Sequence, residues 1–368
     1  MNIRDDLKEL LVKAKIIKKD DTLTLLPNGI FIWNTIVSYL KDKFNKLSYS
    51  EIYTNSLEYY IQNEKILPSE HFSLSYLKDK IEFVSYGKYT NEIEECRNKT
   101  IDVLEIYNCL GKDLFAIPFL CGKDPFNEDN NLLTTYFGEK NIASNYLGEC
   151  DSSFLTCSKI DTDILYTLIN IHKDEKGLVF SPKIAPTQIE IIPLKPNEKG
   201  VLKECRKISD LLLEKGYRVY LNEKNITSKE KKENSIINGV SLIVEIGPRD
   251  LERGVVEITC RDNLEELVID NDKLVNEIES LFKKMHKRMY LKVLEKNISL
   301  QNKVINLDEL HNNINDKINK IVWCGNKDCL KEIKDFTNFI SFNQQLHSSN
   351  CPFCLKKGKH VVSIIKKN

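Results

Sequence analysis

The 368-residue sequence predicts successive domains of mixed helix and strand, the central one an α/β domain with a largely parallel or mixed sheet. Three observations carry this. Strand-like and helical segments alternate from Ile189 to Met285. The stretch GLVFSPKIAPTQIEIIPL, Gly177 to Leu194, runs from a helix-ending glycine through an extended passage at Pro182 and Pro186 into the β-branched Ile189, Ile191 and Ile192. Two closely spaced cysteine pairs, Cys324-x4-Cys329 and Cys351-x2-Cys354, lie near the C-terminus.

From the N-terminus, Leu23 to Phe44 begins with a turn at Pro27, Asn28 and Gly29 and continues as an amphipathic helix, with Ile32, Ile36, Tyr39, Leu40 and Phe44 on one face. Glu51 to Tyr60 is short, aromatic and suited to a strand. In Asn91 to Phe119, Ile93, Cys96, Ile101 and Leu104 mark a second helix, and FAIPF at its end reads as a strand. The apolar run Ile164 to Ile171, with Tyr166, Leu168 and Ile169, predicts a buried helix ending at His172. Lys199 to Lys215 is amphipathic through Leu202, Cys205, Ile208 and Leu212. YRVYLN from Tyr217 is a strand, followed by a polar charged stretch to Glu233. SLIVEIG from Ser241 and Val255 to Thr259 supply two more strands, with Arg249 and Asp250 in a turn between them. Leu274, Ile278, Leu281 and Met285 mark a closing helix, and Lys296 to Lys320 reads as a polar helical linker.

Lys+Arg and Asp+Glu both number 54, so no global field draws a polyanion and any RNA contact rests on local basic patches. The composition, 29% charged and 41% apolar, is that of a soluble globular protein. No apolar run reaches the ~20 residues of a membrane span, and MNIRDDLKEL lacks an apolar signal core. A cytoplasmic protein is expected, and there eleven cysteines mean free thiols and a metal site, not a disulfide framework. Each cysteine pair in the tail fits a tight knuckle, with Gly325 and Pro352 supplying the turns. Four thiolates at the corners of a tetrahedron favour zinc in a closed, structural site. With four cysteines present, His347 and His360 have no vacancy to fill. Cysteines 96, 109, 121, 150, 157, 205 and 260 fall mostly in apolar patterns and are expected in the core.

KGLVFSPKIAP, VEIGPRDLERG from Val244 and the four-cysteine tail, in that order, resemble prolyl-tRNA synthetases of the archaeal and eukaryotic type. The resemblance implies an α+β class II aminoacyl-tRNA synthetase-like domain with a reduced antiparallel sheet at residues 1–185. An α/β anticodon-binding domain at 186–290 and a small zinc-binding α/β domain at 291–368 would follow. It makes the helix Leu23 to Phe44 and the following strand a form of motif 1, implying a homodimer, although the strand lacks that motif's proline. It likewise makes EKNIASNYLG, from Glu139, an active-site segment in which Asn145 and Tyr146 replace a pair of histidines.

The reaction so implied is ATP-dependent, Mg²⁺-assisted activation of proline followed by transfer to tRNA, which needs fixed cations where phosphate charge develops. Aligned back from Lys176 and Gly177, the motif 3 arginine position falls on Asp163, where a carboxylate would repel a triphosphate. In the motif 2 counterpart LKDKIEF, Glu82 and Phe83 agree but the arginine positions fall on Asp79 and Ile81. Lys78 and Lys80 beside them lack a guanidinium's planar fork. Most of the segment between motifs 1 and 2, with its proline-binding loop, is absent.

Loss of adenylation is therefore expected, leaving a tRNA- or protein-binding accessory module, with a partner synthetase among the candidate partners. Lys224, Lys229, Lys231, Lys232 and Arg249 are the candidate RNA contacts. One alternative is an active, remodelled synthetase using ATP and Mg²⁺ with Lys159, Lys173 or Arg97 as replacement cations. Another is an enzyme of altered small-molecule chemistry using Asp161, Asp163 and His172.

Overall fold

Pro27 opens a twenty-residue helix, α2 (Pro27–Lys46), whose Ile32, Ile36, Leu40 and Phe44 are wholly buried at the expected spacing. It follows a shorter helix, α1 (Asp5–Lys13). The computed structural model describes residues 5–18, 24–52, 70–77, 80–90, 93–124, 127–134, 141–150, 153–304, 306–313, 318–332, 337–344 and 349–366. Most of the strand expected at Glu51 to Tyr60 lies outside these. The chain divides into two compact units, one of Met1–Ile36, Leu114–Ala116 and Leu165–Leu291, the other of Val37–Asp113, Ile117–Ile164 and Lys292–Asn368.

The second unit is built on one sheet. Strands β1 (Ser50–Glu51), β2 (Glu70–Tyr76), β3 (Ile81–Thr90), β4 (Leu120–Asp124), β5 (Asn127–Thr134), β6 (Asn141–Cys150) and β7 (Ser153–Asp161) lie in the order β1-β2-β3-β7-β6-β5-β4. All neighbours are antiparallel except β1 and β2. Alternation sends Phe72, Phe83, Ser85 and Ser158 to one face. There Phe44 of α2 meets Phe72 and Phe83 at centroid distances of 5.8 and 5.2 Å. Tyr107, on helix α3 (Ile93–Leu110), bonds Ser158 at 3.0 Å.

The buried face of α3 is Cys96, Thr100, Val103, Ile106, Tyr107 and Leu110; of the expected Ile93, Cys96, Ile101 and Leu104, Cys96 is buried, Ile93 and Leu104 are half-buried, and Ile101 is exposed. Both polar groups on that face are satisfied inside: Thr100 donates to the Cys96 carbonyl of its own helix at 2.8 Å and Tyr107 reaches Ser158 on the sheet. FAIPF is not a strand. A π-helical turn at Gly111–Phe115 precedes it, Ala116 has φ 56°, Pro118 offers no amide to a ladder, and pairing begins at Leu120.

The sheet continues through the C-terminal part of the chain. Strand β15 (Thr337–Gln344) pairs with β4 at Phe342 and Lys123, and beyond it lie β16 (His360–Lys366), β14 (Ile318–Trp323) and β13 (Gln301–Val304). The expected helical linker Lys296 to Lys320 is instead broken into β13, helix α9 (Leu307–Asn313) and the start of β14. Its apolar members Val304, Leu310 and Ile318 are buried as core, which a count of its Asn and Lys residues conceals.

In the first unit, α4 (Ile164–His172) leads by way of the Pro-rich passage to a five-stranded mixed sheet. Its strands β8 (Ile189–Pro193), β9 (Val219–Leu221), β10 (Leu242–Ile246), β11 (Val255–Cys260) and β12 (Glu266–Asp270) lie in the order β12-β11-β10-β8-β9. The pairs β9–β8 and β8–β10 are parallel, the other two antiparallel. Burial on both faces explains why β8 is apolar almost without alternation. One face packs Ile189, Ile191, Val244 and Ile258 against Cys205 and Leu212 of α5 (Val201–Glu214) and Leu274 and Met285 of α8 (Leu274–Ser299). Each such aliphatic side chain contributes about 1.5–3 kcal/mol by leaving water. The other face carries Ile192 and Ile243 with Ile236.

The polar stretch before Glu233 is partly helical, because Thr227 and Glu230 form a reciprocal capping box that starts α6 (Ser228–Ile237). Arg249 and Asp250 lie in a short helix, α7 (Pro248–Arg253), instead of a plain turn. Asp250 accepts the Gly247 amide at 2.8 Å, and Gly254 at φ 65° ends the helix.

Within β8 the buried Glu190 accepts from Asn222 Nδ2 at 2.7 Å. Burial raises its pKa above the ordinary 4.5, with the Asn222 bond opposing. The protonated form is favoured on folding, so this contribution is complete below the ordinary value and fades as pH rises through the folded one. Glu190→Gln is therefore expected to raise the urea midpoint more at about pH 8 than at about pH 5. Equal gains at both would remove the ionised carboxylate as the cause.

Candidate functional site

The strongest chemical constellation is the set of four tail cysteines. Strand β14 ends at Trp323, whose indole donates to the Asn326 carbonyl at 2.8 Å, and Gly325 turns at φ +90°. Asn326 caps α10 (Lys327–Lys331) by accepting the Asp328 amide, which places Cys329 beside Cys324. On the opposite knuckle the Cys351 amide donates to Lys356 O at 2.8 Å and the Leu355 amide to Cys351 O at 2.9 Å. Cys324 Sγ lies 3.7 Å from Cys329 Sγ and 3.5 Å from Cys354 Sγ, and all four sulfurs fall within 4.8 Å of one another.

Cys324, Cys329 and Cys351 are buried, and Cys354 is half-buried. Burial pushes the Cys329 and Cys351 thiols up, whereas the Lys356 amide holds Cys354 at about 7. Together the four could hold a metal ion. An all-sulfur tetrahedral donor set suits zinc, which would provide the positive charge that lets clustered thiols ionise. His360 packs on Trp323, with ring centroids 5.4 Å apart, and His347 lies outside the described residues.

In the segment LKDKIEF, Ile81 opens β3, and Lys78 and Asp79 lie outside the described residues. Glu82 pairs across the sheet with Asp161. Lys80 Nζ sits between them, 2.6 Å from Glu82 Oε1 and 3.3 Å from Asp161 Oδ2. The Glu82 bond leads in raising the Lys80 pKa, so its ammonium is engaged within the chain. Asp161 also accepts the Asp163 amide at 2.9 Å. Asn145 and Tyr146 lie in β6, opposite Ser158 and Cys157. Lys159 is exposed on β7, and Arg97 is spent in a surface pair with Glu94. His172 donates from Nε2 to the Phe115 carbonyl at 2.8 Å, a structural bond.

The candidate RNA contacts have unlike surroundings. Lys224 and Arg249 are exposed, and Lys229 lies 3.9 Å from Glu233. Lys232 bridges Glu245 and Glu266 at 2.7 and 2.8 Å. Lys231 is buried, its ammonium donating to Asn222 O at 2.9 Å.

Arg261 has no local sequence signal that marks its role. Its fully buried guanidinium grips Asp174 with two 2.7 Å bonds and donates to Ile236 O at 2.9 Å. Asp174 also accepts the amides of Lys176 and Gly177 at 2.9 and 3.0 Å, a turn that an Asp three residues before a Gly could have announced.

A family model described as an anticodon binding domain matches residues 188–281. A proline–tRNA ligase of Clostridium botulinum (strain Okra / Type B1) is 26% identical over 301 residues, which is 73% of this chain and 63% of that protein. One from Aster yellows witches'-broom phytoplasma (strain AYWB) is 30% identical over 298 residues, again 73% and 63%. The chain is prolyl-tRNA synthetase-like. Its match spans less than two thirds of the length of these curated relatives. The fold agrees throughout. The crystal structure of prolyl-tRNA synthetase from Cryptosporidium parvum complexed with L-proline and AMP matches with a TM-score of 0.87 at 21% identity, over 100% of this chain and 95% of that one. The class II synthetase-like fold, the anticodon-binding domain and a C-terminal cysteine cluster, all expected from sequence, are thus in place. No helix among the described residues is long and apolar enough to cross a membrane.

Proposed function

We propose that this protein is a tRNA-binding accessory or regulatory module without adenylation activity, resident in the cytoplasm and carrying structural zinc on Cys324, Cys329, Cys351 and Cys354. The observation that carries this is Lys80, held between Glu82 and Asp161. Where the resemblance calls for arginines on a triphosphate, the chain offers carboxylates and a lysine already neutralised by them, with Asp163 alongside. Transition-state charge on a phosphate gains nothing from such a group. The match of 188–281 to an anticodon binding domain supports retention of tRNA. A homodimer through α2 would use its exposed positions, Ile30 and Asn34 among them, because the apolar face is buried inside the chain.

The test is proline-dependent ATP–pyrophosphate exchange alongside tRNA binding on the purified protein. The expected result is no exchange above background, with Asp163→Arg failing to restore it, and retained tRNA binding. Exchange by the wild type would establish the active, remodelled synthetase, with ATP and Mg²⁺ as cofactors.

A further inference from the structure

A thiol reacts with oxidants as its thiolate, and the described cysteines outside the tail are poorly set for that. Cys96, Cys205 and Cys260 are buried, and burial pushes their thiols up to about 11, 12 and 11. Cys109 and Cys157 are half-buried, and burial again leads in pushing their thiols up. The Cys109 thiol also donates to the Glu105 carboxylate at 3.3 Å, a neighbour that disfavours a second negative charge.

The tail differs in both respects that matter. Cysteines that hold zinc do so as thiolates, whatever their pKa as free thiols. Cys324, Cys329 and Cys351 are buried, so half-buried Cys354 is the most exposed of the four. Leu355, Lys356 and Lys357, which follow it, and Lys359 are exposed. Cys354 therefore has the partly exposed, electropositive surroundings of a reactive thiolate.

A second sulfur stands ready for an oxidised Cys354. Cys324 Sγ lies 3.5 Å away on the opposite knuckle, so reaching the ~2.05 Å of a disulfide needs a closure of about 1.5 Å. The two knuckles are pinned together. The Lys359 amide donates to Trp323 O at 2.8 Å, one residue before Cys324. Gly358 lies so near β14 that a Cβ on it would strike Val322 Cγ1.

We propose that Cys354 is a peroxide-reactive site, whose oxidation joins it to Cys324 and releases zinc from the cluster. The proposal rests on the zinc reading above. The Cys354 thiolate attacks one oxygen of hydrogen peroxide and the O–O bond breaks, giving a sulfenic acid and hydroxide. The Cys324 thiolate then attacks that sulfur, an S–S bond forms and a second hydroxide leaves. Two electrons pass from the sulfurs to the peroxide, and two protons from solvent turn both hydroxides into water. Cys329 and Cys351 alone cannot complete a closed tetrahedral set, so the chain loses its hold on zinc. A thiol reductant reverses the disulfide and allows reloading.

The experiment treats the zinc-loaded full chain with hydrogen peroxide. Released zinc is followed with a chromogenic chelator, sulfenic acid is trapped with dimedone, and disulfides are mapped by peptide mass spectrometry. The expected result is loss of the zinc together with a Cys324–Cys354 disulfide, with early dimedone label on Cys354 roughly tenfold above that on Cys109 or Cys157. Cys109→Ser/Cys157→Ser, outside the cluster, should release zinc at the wild-type rate. Zinc that stays bound while Cys109 or Cys157 is labelled, or a first disulfide between other cysteines, would overturn the proposal and leave the zinc reading standing. A chain that takes up no zinc overturns both.

Discussion

Purified protein is expected to carry one zinc ion per chain, and its removal should collapse the C-terminal part of the sheet. Zinc in a four-thiolate site supplies about 10–16 kcal/mol in small metal-folded modules. Among the described residues, Val304, Leu310, Ile321, Trp323, Leu330, Val362 and Ile364 form the buried core round the cysteines that it would support. The two tryptophans of the chain make the event visible, because Trp33→Phe leaves buried Trp323 as the sole indole reporter. Chelation, or Cys351→Ser, should shift Trp323 emission to the red and release metal in native mass spectrometry. A metal-free protein whose Trp323 emission and unfolding are indifferent to Cys351→Ser would dispose of the zinc assignment.

Loss of the Arg261–Asp174 bond should be nearly as damaging to the first unit. Removing one partner of a buried pair costs about 3–5 kcal/mol, because the survivor keeps its charge in a low dielectric. The Asp174 side chain is 37% exposed, so water screens part of the interaction and Asp174→Asn is expected to cost about 2–3 kcal/mol in urea unfolding. Burial alone would raise the Asp174 pKa, but the Arg261 bonds prevail and hold it below the ordinary 3.8. A depressed pKa means the stabilisation is present above the ordinary carboxylate value and is lost as pH falls through the folded one. The acid limb of the stability curve below about pH 4 should therefore be shallower in Asp174→Asn. A change within about 0.5 kcal/mol of wild type would mean that Arg261 is solvated or re-paired without Asp174.

What the sequence revealed and what it hid follow from the range of the interactions. Periodic apolar residues marked α2, α4 and α5, and cysteine spacing marked both knuckles, because each is specified by neighbours within a turn or two. On α3, apolarity alone ranks Ile101 above Thr100 and Tyr107, and only the folded chain reveals the Ser158 hydroxyl that lets Tyr107 go inside. Lys231 read as a surface cation until Asn222 supplied a buried carbonyl for its ammonium. The Lys80 bridge and the Arg261 grip join groups 81 and 87 residues apart, beyond any local pattern. What stands near Ile81 and Asp163, the Lys80 bridge between Glu82 and Asp161, was not legible.

The pairing of β4 with β15 has a consequence for how the chain is made. Strand β4 leaves the ribosome with one ladder edge unmatched, and its partner near Phe342 follows roughly 200 residues later. At ordinary translation speeds that edge waits about 10–40 s, open to other strands in the cell. Contacts of such sequence separation are slow to form even in the complete chain. In the nascent protein the β4 edge of the sheet is thus covered only after β15 has been made.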